Sequence, residues 1–402
     1  MKSDLPKVLH TICGKPLLQF VLDNVKSVGL RDVYVVIGYR SDLVCNYLGK
    51  NFKTLKQKRL LGTADALKAA VSKFRNFNGT ILVLYGDNPL IEEGSLDNLI
   101  KAHTKSRADC TLLTANLSNP FGYGRIIRDN YSRIRRIREE LDATSTEKQI
   151  REINVGAYCF NAKTLPKALA SIKSNNKKKE FYLTDIVEIL ATMGASIESA
   201  EVVGENEVLG INTREDLAVA AKIMRKRILR EFMLNGVSII DPDTTHIDTD
   251  VKIGQDTVIY PYTFIERDVT IGENCSIGPM CHIRTNVAVE GNVTLGNFVE
   301  VSRAKVGKGV FVKHFSFLGD VSIGDRVNIG AGVVTANFDG VNKNLTQIED
   351  DAFIGSDTVL VAPVKIGKKA VTGAGSVVTK KHNVPDRGVV VGVPARMLKR
   401  SK

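Results

Sequence analysis

The sequence predicts two architectures in series, an α/β domain with a Rossmann-like doubly wound sheet followed by a parallel β-helix built from six-residue repeats. Two observations predict the second half. From Ile247 to Val301 an aliphatic residue returns at every sixth position: Ile247, Ile253, Ile259, Ile265, Ile271, Ile277, Ile283, Val289, Leu295 and Val301. A glycine often follows it, as in Ile253-Gly254, Ile271-Gly272, Ile277-Gly278, Ile323-Gly324 and Ile366-Gly367. A period of six is neither helical nor a simple strand alternation; it marks a solenoid in which each hexad is one short strand and a turn. A third observation predicts the first half, where stripes at helical spacing alternate with unbroken apolar runs.

Taking the elements in order, Leu17, Leu18, Val21, Leu22 and Val25 form one helical stripe within 16–27. Asp32–Gly38 reads as a strand ending in glycine, Lys68–Phe74 as part of a second helix, and Thr80–Leu84 as a buried strand. Such runs between helices indicate a parallel sheet covered on both faces, with ligands at the carboxyl ends of its strands. Residues 213–232, with Val219, Ile223 and Ile228, read as a helical arm, and a boundary falls near Gly236. The solenoid period continues at Val312 and Leu318, shifts by one to Ile323 and Ile329, and returns as Ile348, Ile354, Leu360 and Ile366. Between Thr335 and Ile348 it is broken by Ala336–Lys343, a loop expected to project from a regular surface. The expected domains are 1–212, a helical linker 213–235, and 236–402.

With 402 residues, 43% of them apolar and 25% charged, the chain can bury more than one core. No apolar run approaches the roughly 20 residues of a membrane span. The opening Met1–Pro6 lacks the apolar stretch of a signal peptide, so a cytoplasmic location is expected. Cys13, Cys45, Cys110, Cys159, Cys275 and Cys281 are scattered and read as buried reduced thiols. The six histidines show no metal-ligand spacing. The net charge of +12 is dispersed, with local excess at Lys177–Lys179 and in the tail 396–402. It suits anionic small molecules better than nucleic acid.

Tyr85-Gly86-Asp87 ends the Thr80–Leu84 run, where Asp87 either presents a carboxylate to the crevice or merely opens a turn before Asn88-Pro89. A hard carboxylate there suits Mg²⁺ carrying phosphate oxygens.

Several further segments carry a resemblance. Leu5-Pro6-Lys7-Val8-Leu9 and Gly14-Lys15-Pro16-Leu17 are followed by Leu61-Gly62-Thr63-Ala64, Tyr85–Leu90 and Gly122–Ile126. Glu152–Gly156, Glu180–Asp185 and Gly210-Ile211-Asn212 complete the order. In this order they resemble the sugar-1-phosphate nucleotidyltransferases. Joined to a hexapeptide β-helix, the whole chain resembles the bacterial bifunctional family of N-acetylglucosamine-1-phosphate uridylyltransferase and glucosamine-1-phosphate N-acetyltransferase.

The resemblance implies a left-handed β-helix, a homotrimer, and synthesis of UDP-N-acetylglucosamine for cell-wall precursors from sugar phosphates, UTP and acetyl-CoA. For uridylyl transfer it implies Mg²⁺ (one or two ions) held by Asp87 and Asn212, and phosphate contact by Lys7. Gln57, Gly62 and Thr63 would read the uracil, and Gly124, Glu139 and Asn154 would hold the sugar. Tyr182 and Thr184 would line the sugar pocket or serve ordinary strand packing. The family also begins with a strand and a Gly-rich phosphate loop, and Met1 aligns with that loop's last residue. Either the natural chain is longer or the gene is shortened. A chain starting at Met1 is expected to have crippled uridylyl transfer and unpaired backbone groups beside the absent strand. Leu60 departs from the polar residue often found near the base.

For acetyl transfer the resemblance implies His314 as general base and the Ala331 amide as oxyanion donor. Arg284 and Lys343 would pair with the sugar phosphate, Asn328 and Asn337 would hydrogen-bond the sugar, and Ser356 and Ala374 would line the acetyl-CoA groove. Ser302 stands in place of a phosphate-binding Lys, next to Arg303. Phe317 and Phe338 each stand in place of a Tyr. Loss of a charged hydrogen bond can cost about 1.5–3 kcal/mol, so weaker sugar binding is expected. Three alternatives remain at this point: an acetyltransferase with an inactive N-terminal half, a β-helix serving only trimerisation, and a nucleotidyltransferase for another base or sugar.

Overall fold

The computed structural model describes all residues except 75, 175 and 399–402, so the end of the basic tail lies outside the described residues. The chain divides into two compact units, 1–220 and 221–402.

In the first unit the helix Leu17–Ser27 buries Leu17, Leu18, Val21, Leu22 and Val25, the stripe read from the sequence. A helix the sequence reading passed over, Ser41–Leu48, comes next, and Lys68–Phe74 falls at the end of a third helix, Thr63–Ala70, which finishes as a 3₁₀ turn at Val71–Lys73. The sheet is mixed rather than parallel. Ile197–Glu201 runs parallel to Cys110–Asn116, which pairs antiparallel with the long strand Glu152–Asn161. The other edge of that strand is shared: Thr80–Leu84 pairs antiparallel with its C-terminal half, and Arg125 meets Ile153 at its start. Arg125–Arg128 and Ile134–Arg138 complete the sheet. Apolarity marks these runs as strands, but it does not encode the direction of a neighbour.

Tyr34–Ile37 and Lys53–Lys56 form a separate parallel pair. Among the described residues Tyr34–Ile37 pairs only with Lys53–Lys56, and Thr80–Leu84 only with Glu152–Asn161, so each keeps one free edge. Accordingly Tyr34, Val35, Val36, Leu82, Val83 and Leu84 are half-buried instead of buried.

The second unit starts within the helix Arg214–Leu234, whose Leu229 joins the solenoid core. Its coils stack in parallel with the hexad aliphatics in register: Ile247 on Ile265, Ile265 on Ile283, Ile283 on Val301. These side chains are buried, except for Ile253, which is half-buried near the start of the stack. Each coil of three hexads turns by placing the third residue after the aliphatic in the left-handed region, as at Asp250, Asp256, Asp268, Asn274, Asn286 and Asn292. Asp and Asn tolerate that conformation because their short side chains bond locally.

The period shift has a structural cause. Val301 stacks on Leu318 and Val306 on Ile323, so these coils are 17 residues long. The corner after Val301 and Leu318 is one residue shorter, and the left-handed residue moves up to Arg303 and Asp320, both at φ 48°. The break predicted after Thr335 lengthens one coil, yet Ile323 still stacks directly under Ile348.

Of the six thiols, Cys110, Cys159, Cys275 and Cys281 are buried, whereas Cys13 and Cys45 are only half-buried. Burial pushes the Cys159 and Cys281 thiols up to about 12, which keeps them protonated and inert.

Candidate active sites

In the first unit, Lys7, Asp87 and Asn212 converge. The Lys7 ammonium forms an ion pair with Asp87 Oδ2 and donates to Asn212 Oδ1 at 3.0 Å. Two oxygens from distant segments thus already face one cation. That is a test of fit for Mg²⁺, which commonly takes one or two carboxylates and completes its shell with water and substrate phosphate. No group of three or more His, Cys, Asp or Glu placed to hold a metal occurs among the described residues.

Gln57, Gly62 and Thr63 lie where the Lys53–Lys56 strand leads into the Thr63–Ala70 helix. Gln57 Nε2 donates to the Gly62 carbonyl at 3.2 Å and to Asp65 Oδ2 at 2.9 Å. Gly62 takes φ +119°, and a Cβ there would stand 2.5 Å from the Phe181 carbonyl oxygen. That close approach is fixed by Phe181 N–H to Leu61 O at 2.8 Å and Ala64 N–H to Phe181 O at 2.9 Å. Thr63 Oγ1 accepts from the Leu183 amide at 2.9 Å. Leu60 is exposed beside Gly38.

The residues expected to hold the sugar also gather. Asn154 N–H donates to Gly124 O at 2.9 Å, and Gly124 faces Ile137 and Glu139. Buried Thr184 donates to Glu139 Oε1 at 2.7 Å. Burial raises the Glu139 carboxyl, and the Thr184 bond opposes it. Tyr182, pushed up to about 12 by burial, lines an open cleft of about 750 Å³ with Glu139, Asp142, Asp185, Lys167 and Lys173. Desolvation, and then the neighbouring Glu139 and Glu188 charges, hold Asp185 at about 6.

Sequence reasoning missed the buried Tyr158 phenol and the half-buried Tyr85 beside it. Asn154 Nδ2 donates to Tyr158 Oη at 2.7 Å, and the Tyr85 and Tyr158 rings meet edge to face with centroids 6.4 Å apart. In the sequence Tyr85 stands out only within Tyr85-Gly86-Asp87, and Tyr158, beyond the Glu152–Gly156 motif, not at all. Gly156, with its Cβ position 2.7 Å from the Tyr85 ring, is the one sequence signal of that close approach.

In the second unit the register lines up four predicted residues. Phe311 stacks on Asn328, Asn328 on Phe353, and Phe353 on Val371. Each is followed three residues later by His314, Ala331, Ser356 and Ala374 respectively, so these four occupy one corner of successive coils. With rungs about 4.8 Å apart, the column runs roughly 14 Å. His314 is exposed, and its imidazole has no hydrogen-bond partner among the described residues. The Ala331 N–H is likewise not engaged by another described residue, while its carbonyl accepts from Asp357 N–H at 2.7 Å.

The remaining predicted residues lie on the adjoining face. Glu300 stacks on Phe317 and Ser302 on Gly319, one rung above His282 and Arg284. Arg284 Nη1 bonds Glu300 Oε1 at 3.2 Å, so this cation is already balanced by a carboxylate. Ser302 is buried and accepts from Arg303 Nη1 at 2.7 Å. Phe338 and Lys343 face each other across the projecting loop and are exposed, and Asn337 at its base is buried. Asn328 lies on the other side of the corner, half-buried. One chain therefore presents two groups of acetyl-site residues on neighbouring faces.

The fold and these sites define a class of transferase in which a nucleotidyltransferase is joined to a left-handed hexapeptide β-helix. The Nucleotidyl transferase family profile matches residues 2–204, and the Bacterial transferase hexapeptide (six repeats) profile matches 250–285 and 345–380. The chain is 41% identical over 413 residues to "Bifunctional protein GlmU" of Halalkalibacterium halodurans, covering 94% of this chain and 91% of that one. The protein of the same description from Geobacillus thermodenitrificans is 41% identical over 425 residues, covering 98% and 92%. The chain belongs to the bifunctional GlmU family and carries both its uridylyltransferase and its acetyltransferase domains. The matches run through both halves, which does not favour a protein with one activity alone.

Proposed function

We propose that this enzyme makes UDP-N-acetylglucosamine by acetylating glucosamine-1-phosphate from acetyl-CoA and then joining the product to UTP. The column of His314, Ala331, Ser356 and Ala374 carries the acetyl half of this assignment. His314 takes the proton from the sugar amine as it attacks the thioester, and the free Ala331 N–H bonds the developing oxyanion. Ser356 and Ala374 extend the groove along which acetyl-CoA lies. Arg284 and Lys343 meet the sugar phosphate, with Asn328 and Asn337 on the sugar. Ser302, Phe317 and Phe338 contact it with fewer polar groups than a Lys and two Tyr would offer.

In the uridylyl half, Gln57, Gly62 and Thr63 read the base, and Gly124, Glu139 and Asn154, with Tyr182 and Thr184, seat the sugar. Lys7 meets phosphate, while Asp87 and Asn212 hold Mg²⁺, which would neutralise phosphate charge when bound. The sugar phosphate attacks the nucleotide α-phosphorus, so the side chains position the reactants and disperse charge. Division at 1–212, 213–235 and 236–402, and a cytoplasmic location, belong to the same assignment. No helix among the described residues is long and apolar enough to cross a membrane.

The assignment includes a homotrimer. Tyr262, Met280 and Phe298 occupy left-handed corner positions where most other corners carry Asp or Asn. They are 60%, 45% and 58% exposed, with Phe315 at 54% on the next coil. Bulky residues pay about 1–3 kcal/mol for such a backbone, which supports burial of this corner against further copies of the chain. His314 precedes Phe315 in that column, so the acetyl site would be shared between copies. Light scattering on Phe298→Asp should report a smaller species; an unchanged mass would remove the trimer from the assignment.

The assay for the function is paired. CoA release from acetyl-CoA and glucosamine-1-phosphate, and pyrophosphate release from UTP and N-acetylglucosamine-1-phosphate, are both expected, the second at full rate from a chain that includes the Gly-rich phosphate loop. Absence of either activity would overturn that half.

A further inference from the structure

Arg303, Asp320 and Asn337 form a ladder. They are spaced 17 residues apart, the length of the shortened coils, and each lies two residues after a stacked core position: Val301, Leu318 and Thr335. Arg303 Nε and Nη2 grip the two carboxylate oxygens of Asp320 at 2.6 and 2.8 Å. Its Nη1 donates to Ser302 Oγ at 2.7 Å. From the rung above, Asn337 Nδ2 donates to Asp320 Oδ2. Gly319 makes room: a Cβ there would lie 2.6 Å from the Phe317 ring and 2.9 Å from Asn337 Nδ2.

We propose that the Arg303–Asp320 pair is a positioning device that fixes which end of the Asn337 amide faces the acetyl-acceptor sugar. A carboxylate can only accept hydrogen bonds, so it selects the amide's NH₂ end and turns Oδ1 away as a free acceptor. An acceptor at that point recognises a donor, a hydroxyl or amine N–H of an amino sugar. Arg303 keeps Asp320 ionised and cancels a negative charge that would repel the sugar's phosphate. The hydrogen bond from Arg303 holds the Asp320 carboxyl below the usual carboxylate range, as that role requires. Arg303 is therefore committed to Asp320 and does not stand in as a free phosphate ligand for a Lys at 302. The shortened corner brings the pair about by stacking Arg303 directly on Asp320. The assignment rests on the proposed contact between Asn337 and the sugar.

Steady-state acetyl transfer with glucosamine-1-phosphate varied separates the two claims. Asn337→Ala should raise KM about tenfold with kcat within about twofold, as for loss of one good hydrogen bond. Asp320→Asn should do the same, because an amide at 320 permits either orientation of Asn337. The double variant should be no worse than either alone, and Arg303→Lys should recover part of what Arg303→Met loses. A purely structural role would instead lower kcat and thermal stability together and give additive effects. An unchanged KM in Asp320→Asn, with Asn337→Ala impaired, overturns the positioning role and leaves the site assignment standing. An unimpaired Asn337→Ala removes the sugar contact, and the positioning role with it.

Discussion

Replacing Gly62 by Ala should loosen the first unit and leave the second untouched. Gly62 holds φ +119° and ψ 178°, a region open essentially to glycine alone. A side chain forced there costs about 1–3 kcal/mol of backbone strain. The added Cβ would stand 2.5 Å from the Phe181 carbonyl oxygen, 2.8 Å from its nitrogen and 3.0 Å from its carbonyl carbon. All three are backbone atoms with no rotamer to escape through. The hydrogen bonds Phe181 N–H to Leu61 O and Ala64 N–H to Phe181 O must stretch, at roughly 1 kcal/mol each. Alanine's smaller unfolded-state entropy returns about 0.4–1 kcal/mol. The net loss is about 3 kcal/mol, or roughly 6–12 °C in Tm for a unit of this size. The chain has no Trp, so circular dichroism of the helices is the probe. Hydrogen exchange should accelerate at the Ala64 and Phe181 amides and stay constant at Gly278 in the solenoid. A loss below about 1 kcal/mol would refute the reasoning, since strain alone accounts for more.

Three other outcomes are expected. His314→Ala should lower acetyl-transfer kcat by about 10²–10⁴ while leaving UTP-dependent pyrophosphate release unchanged; a smaller loss would take the general base away from His314. Lys7→Gln should tighten Mn²⁺ binding in the absence of nucleotide by about two- to fivefold, because the ammonium now shares Asp87 and Asn212 with any metal; calorimetry showing equal or weaker binding would deny that competition. Asp185, with its folded carboxyl raised to about 6, binds protons more tightly folded than unfolded. Its contribution therefore favours folding at low pH and is lost as pH rises from about 4 to 6. Asp185→Asn should flatten that part of the stability curve and gain about 1 kcal/mol at pH 7 after allowance for its partial exposure; an unchanged slope would contradict the raised carboxyl.

The solenoid was legible because one backbone register repeats. Any residue's rung and face follow from its distance to the nearest hexad aliphatic, and the corner column of His314, Ala331, Ser356 and Ala374 follows once coil lengths are known. The first unit was legible only locally. Apolar runs such as Thr80–Leu84 announced strands, but the antiparallel partner lay near residue 160, and nothing local specifies such a pairing. Glycines were the better guides, as Gly62 and Gly124 each mark a place where the backbone closes on another segment. Asp320 escaped notice because Leu318-Gly319-Asp320 looks like any turn. Its role depends on a corner shortened by one residue in two consecutive coils, which appeared in the sequence only as an unexplained shift of phase. The Tyr85–Tyr158 ring contact could not be anticipated, since nothing local joins the end of one strand to the middle of another 73 residues on.

The coil containing the projecting loop has a consequence for how such a protein can change. Ile323 rests under Ile348 across 25 residues as squarely as Ile348 rests under Ile366 across 18. Length at that corner is thus uncoupled from the stack beneath it. Segments there can be gained, trimmed or exchanged while the interior keeps its alignment. The selectivity of the acceptor pocket can accordingly drift, or be rewritten by loop grafting, against a constant scaffold.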